Sequence, residues 1–150
     1  MDEKKVKNLI DRYLDLSMSV QRRGETIIKC RLGDELTNDQ HFILRHIRKT
    51  NLCTSTELAE VFEVNKSAIT AIINRLMEKG LINRKRDEND RRIVYLTLSE
   101  LGNELFLESE EKIGRFVEEI MVQFEHEEIE AFLNTYEKLN NALLNYKMGD

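Results

Sequence analysis

Residues 65–98 read NKSAITAIINRLMEKGLINRKRDENDRRIVYLTL, and the texture of the chain changes within them at Gly80. Before that glycine, Ile69, Ile72, Ile73, Leu76 and Met77 recur at three- and four-residue spacing and share one face of a helix. Asn65 caps the start of this helix and Gly80 ends it. The opposite face carries Lys66, Ser67, Thr70, Asn74 and Arg75. After Gly80 the runs LINRKR and RIVYLTL are short and rich in β-branched residues and Tyr. They flank the acidic turn Asp87-Glu88-Asn89-Asp90, so this part predicts a β-hairpin.

Working outward on the N-terminal side, Thr37 stands three residues before Gln40, and Thr54 three before Glu57. That spacing satisfies the orphan N–H groups at a helix start and predicts helices over about 38–50 and 55–62. The segment EVFEVN then makes a tight turn into the helix after Asn65, giving a helix-turn-helix. Adding the hairpin, residues 37–98 read helix, helix, helix, strand, strand, which is a winged helix-turn-helix. A long amphipathic helix over about 3–28 precedes it, with Val6, Leu9, Ile10, Tyr13, Leu14 and Val20 at helical intervals. Two more follow it, one carrying Leu101, Leu105, Ile113, Phe116, Val117, Ile120 and Phe124, the other Ile129, Phe132, Leu133, Tyr136, Leu139 and Leu143. These apolar stripes are too long for a small core to cover, so a second subunit is expected to supply part of the cover. The expected fold is mainly α with a small β-hairpin wing. Residues 36–98 form the winged helix-turn-helix, and residues 1–35 together with 99–150 form a helical dimerisation part.

Charge points to the same segment. The chain carries a net charge of −5, distributed as neutral over residues 1–64, +4 over 65–98 and −9 over 99–150. An acidic protein with one basic surface can still attract a polyanion, because local potential matters more than the total. The densest knot is RKRDENDRR at 84–92, with five basic residues in nine and three acids among them. Arginine at a hairpin tip gains from the strongly negative potential of a DNA minor groove. The acids then have work to do there, since Asp90 can pair with Arg92 and fix the guanidinium before binding. The expected wing contacts are Arg84, Arg86, Asp90, Arg91 and Arg92. On the helix, Lys66 and Arg75 suit phosphates or guanine edges, Ser67 and Thr70 suit either base or phosphate, and Asn74 suits adenine. Ala68 and Ala71 keep its bulk low enough for a major groove. The competing reading of both features is a solvated helix face and solvated turn charges.

The run Asp90-x-Arg92, followed after five residues by Leu98-Ser99 and then Gly102, resembles the D-x-R-x5-L-T-x-x-G signature of the MarR (multiple-antibiotic-resistance regulator) family. The stretch LAEVFEVNKSAITAIINRLMEKGLINRKRDENDRR resembles that family's helix-turn-helix and wing throughout. Ser99 stands where threonine is usual, and serine caps a helix equally well. The resemblance implies a homodimer whose N- and C-terminal helices interlock beneath two winged domains. It implies major-groove contact by the helix from Lys66 to Arg75 and minor-groove contact by Arg92, oriented by Asp90. It also implies a roughly palindromic double-stranded DNA operator, more often repression than activation, and release by a small, often phenolic molecule held between dimer helices and winged domain. Tyr13 and Phe42 are candidates for lining such a cleft, although aromatics at helical spacing are ordinarily core.

Other classes find less support. No apolar stretch is long enough to span a bilayer, and MDEKKVKNLIDRYL lacks the apolar core of a secretory signal, so a cytoplasmic protein without membrane contact is expected. There is no G-x-G-x-x-G, Walker loop, G-x-S-x-G elbow or nucleophile arrangement of an enzyme, and no cofactor is expected. His41, His46 and His126 read as surface or interface residues. Cys30 and Cys53 read as reduced structural thiols, Cys30 at or past the end of the first helix and Cys53 slightly acidified by the helix N-terminus that follows it. A thiol sensor, or a metal sensor built from Glu25, Cys30 and His41, remains an alternative without diagnostic spacing, and no metal ligand is assigned. The remaining alternative is a winged-helix interaction module without DNA readout, which would not need a basic hairpin.

Overall fold

The computed structural model describes residues 2–149. Its elements in chain order are α1 (Glu3–Leu32), α2 (Asn38–Lys49), α3 (Ser55–Val61), α4 (Lys66–Glu78), β1 (Ile82–Arg86), β2 (Val94–Leu98), α5 (Glu100–Met121) and α6 (His126–Leu144). The expected helices and hairpin are therefore all present, and α3, α4 and the hairpin form a winged helix-turn-helix. Helix α1 runs past the expected end at residue 28. Residues 29–32 are compatible with helix, and the chain leaves it only at Gly33, whose φ of +66° suits glycine.

Each expected cap is formed. Thr37 makes a full capping box with Gln40, Thr54 accepts from the Glu57 N–H at 3.2 Å, and Asn65 accepts from the Ala68 N–H at 2.8 Å. Helix α4 closes as a Schellman motif: the Leu81 N–H donates to the Leu76 carbonyl and the Gly80 N–H to that of Met77, with Gly80 at φ +73°. The α3–α4 turn repeats the device with Glu63, at φ +51°, in the left-handed position. The strands pair antiparallel from Ile82↔Leu98 to Arg86↔Val94. The Leu96 N–H also donates to the Cys53 carbonyl at 2.8 Å, pinning the wing's base to the α2–α3 connection.

The chain divides into two compact units, residues 1–113 and 114–150. In the first, one core gathers Ile43, Leu44 and Ile47 of α2, Leu58 and Ala59 of α3, Ile69, Ile73 and Leu76 of α4, Ile82 and Leu96 of the hairpin, and Phe106 of α5. Ser99 fastens the start of α5 to this core. Its hydroxyl donates to the Gly80 carbonyl at 2.5 Å and accepts from the Gly102 N–H at 3.0 Å. Gly102 lies so close to the Leu81 carbonyl that a Cβ there would overlap it. Along α1 only Leu32 is buried, and Leu9, Ile10, Tyr13 and Leu14 are more than half exposed. In the second unit α6 buries no residue, and Phe132 and Tyr136 stack on each other with ring centroids 5.2 Å apart.

Candidate nucleic-acid interface

Helix α4 separates its two faces cleanly. Ile69, Ile73 and Leu76 are sealed in the core, while Lys66, Ser67, Thr70, Asn74 and Arg75 are all exposed, as is Ala71 between them. The exposed row therefore offers cations, hydroxyls and an amide on a slim helix, the donor and acceptor set for reading base edges and gripping phosphates.

The wing is built by its acids. Asp87 Oδ2 accepts from the N–H groups of Asn89 at 3.1 Å and Asp90 at 2.8 Å, which folds the turn. Asp90 Oδ1 accepts from the N–H and Nε of Arg92, both at 3.1 Å, and Oδ2 accepts from Arg92 Nη2 at 3.2 Å. The side-chain and backbone hydrogen bonds from Arg92 hold the Asp90 carboxyl below its ordinary 3.8. The Arg92 guanidinium is thus fixed in direction while 91% of its side chain remains exposed.

The five basic residues do not all belong to the tip, as the sequence suggested. Arg84, Lys85 and Arg86 lie in β1. Arg84 reaches α4, where its Nη2 donates to Asn74 Oδ1 at 3.4 Å. The amide expected to read a base is therefore also the brace between wing and helix. Arg86 Nη1 donates to the Arg91 carbonyl at 2.8 Å, so this residue supports the turn from below. Arg91 and Arg92 are the two arginines carried by the turn itself, and both are exposed.

Several other expectations need correction. His41 is buried, not superficial: it stacks on Phe106, with Nε2 3.7 Å from Glu110 Oε1. Burial lowers its pKa below 6.5, with Arg45 adding to the effect and Glu110 opposing it. Cys30 lies within α1 and is exposed, not at or past the helix end. Cys53 is buried, and burial together with the Glu57 carboxylate pushes its thiol up to about 12, the reverse of the expected acidification. Tyr13 and Phe42 are both exposed in the single chain and do not join its core. Glu25 accepts from Gln21 at 3.1 Å and makes no donor cluster with Cys30 and His41. Among the described residues, the group of three donor side chains that lie near one another is His46, Cys53 and Glu57, with one ligand atom from each within 4.8 Å of the others, and no spacing rule identified it. No helix among the described residues is long and apolar enough to cross a membrane.

Known proteins share this chain's family and fold. The model of the MarR family matches residues 36–94. Over 142 residues the chain is 32% identical to YwhA, an uncharacterized HTH-type transcriptional regulator of Bacillus subtilis (strain 168), covering 93% of this chain and 99% of that protein. Among solved structures, a MarR family protein from Bacillus stearothermophilus matches with a TM-score of 0.76 at 26% identity, covering 97% of this chain and 99% of that one. A mutant MarR from E. coli complexed with operator DNA also gives 0.76, at 24% identity over 88% of this chain and 96% of that one, a likeness of fold.

Proposed function

This chain belongs to the MarR family of transcriptional regulators, and from that premise we propose that it binds a palindromic operator as a homodimer, represses transcription there, and is released by a small-molecule effector. It is a regulator, not an enzyme. The observation that carries the DNA reading is the Asp90–Arg92 pair, a guanidinium oriented before any partner arrives and left almost wholly exposed. Arg92 and Arg91 enter the minor groove, while Lys66, Ser67, Thr70, Asn74 and Arg75 meet the adjoining major groove. The Arg84–Asn74 bond links the two sets, so wing and helix meet DNA together. The structure of the E. coli protein on operator DNA supports the same use of this fold.

Dimerisation is supported by the apolar side chains that a single chain leaves in water, Leu9, Ile10 and Leu14 on α1 and Phe132, Leu133 and Tyr136 on α6. In this reading residues 1–35 and 99–150 supply the subunit interface. Two-fold symmetry then sets the recognition helices about 34 Å apart, one DNA turn. An effector that binds better to a dimer with mis-spaced helices drains the DNA-binding population, by no more than its differential affinity.

Fluorescence anisotropy with the duplex upstream of the protein's own gene, against a scrambled duplex at two salt concentrations, tests the reading. Sequence-preferring binding that weakens steeply with salt is expected. Absence of preference for that duplex, followed by failure to recover any sequence from a random-duplex selection, overturns it in favour of an interaction module.

A further inference from the structure

A second constellation is built by α2, α3 and the connection between them, and takes no residue from α4. His46 sits in the last turn of α2, Cys53 in the connection that follows, and Glu57 in the first turn of α3. The fold brings an imidazole, a thiol and a carboxylate together, with one ligand atom from each lying within 4.8 Å of the other two. His46 Nε2 is 3.9 Å from Glu57 Oε1, and Thr50 Oγ1 lies 3.4 Å from the same nitrogen. In a tetrahedral zinc site, bonds of about 2.0–2.3 Å set neighbouring ligand atoms about 3.3–3.8 Å apart. The three side chains therefore need to contract by no more than about 1.5 Å to close on an ion.

We propose that His46, Cys53 and Glu57 form a divalent-metal site of the zinc class. The donor set selects the ion: nitrogen, sulfur and oxygen ligands together suit zinc or cobalt, whereas magnesium and calcium prefer oxygen alone. Access is open, because the His46 and Glu57 side chains are 24% and 37% exposed while Cys53 closes the inner side. Water supplies the fourth ligand from that open side. On binding, the metal displaces the thiol proton to solvent and takes its place on Sγ, so the buried sulfur carries its charge against a cation.

The residues that carry the ligands are held in place before any metal arrives. His46 packs edge-on against Phe62 at 6.2 Å between ring centroids, the Cys53 carbonyl is held by the Leu96 N–H, and the Glu57 N–H is capped by Thr54. A bound ion therefore clamps α2, α3 and the base of β2 to one another, stiffening the platform that carries α4 and the wing. Metal binding here does not depend on DNA binding.

The test is titration of metal-free, full-length protein with Co2+, followed by competition with Zn2+. One Co2+ per chain is expected, with a near-ultraviolet thiolate-to-cobalt absorption that Zn2+ abolishes. The band persists in Cys30→Ser and is lost in Cys53→Ser. Because Cys53 is a core residue, His46→Gln and Glu57→Gln provide a second arm, each weakening Zn2+ binding at least tenfold while melting like the parent in chelator. A wild-type protein without the band, a band that depends on Cys30, or Zn2+ affinity unmoved by both Gln variants overturns the site.

Discussion

Arg92 is exposed yet directed, because Asp90 engages its backbone N–H, Nε and Nη2 at once. The two residues should therefore behave as one unit. In Arg92→Ala, operator affinity is expected to fall at least tenfold and the salt dependence to become shallower, while Asp90→Asn retains the cation and loses part of the affinity through disorder. NMR titration of the Asp90 carboxyl checks the coupling itself: its pKa lies below 3.8 in the parent and returns toward 3.8 in Arg92→Ala. His41 acts in the opposite compartment, where burial keeps its pKa below 6.5. The unfolded chain then binds more protons than the folded one in the window below 6.5, so stability is present above that pH and declines as pH falls toward the folded value. Urea unfolding at about pH 7.5 and about pH 5.5 should show this decline, and His41→Gln should reduce it.

At the scale of elements, the joint between hairpin and α5 has the tightest tolerance. Ser99 satisfies a carbonyl of the α4 terminus and an N–H of α5 with one hydroxyl. Ser99→Ala is expected to cost about 1 kcal/mol, whereas Ser99→Thr retains the cap. Gly102 is required for a different reason, since a methyl group there meets the Leu81 backbone, which cannot swing aside as a side chain would. Gly102→Ala should destabilise by about 1–3 kcal/mol in urea unfolding, an overpacking cost. The L-S-x-x-G half of the signature is thereby explained as a structural joint, and the D-x-R half as a preset side chain.

For the molecule as a whole, the proposed homodimer rests on apolar surface that the single chain leaves exposed. The first unit has a well-defined core, but α6 buries nothing in the single chain. Phe132→Glu and Leu133→Lys together are expected to shift the protein from dimer to monomer in sedimentation velocity. They should also abolish tight binding to a palindromic duplex while leaving α4 and the wing untouched. A double variant that stays dimeric removes α6 from the interface.

Sequence by itself determined what acts over a few residues. Thr37, Thr54 and Asn65 announced their helices because a cap reaches only three residues ahead, and Gly80 announced a stop because glycine, having no Cβ, enters the left-handed position that ends a helix at no steric cost. The two faces of α4 followed from helical periodicity, and the Asp90–Arg92 pair from residues two apart. Only the tertiary structure decided matters that depend on distant neighbours. It divided the basic knot into a brace on Asn74, a support under the turn and two exposed arginines. It buried His41 against Phe106 and Cys53 in the core, and it gathered His46, Cys53 and Glu57 into one cluster. Burial and desolvation are set by whatever segment packs on top, and no local spacing records which segment that will be.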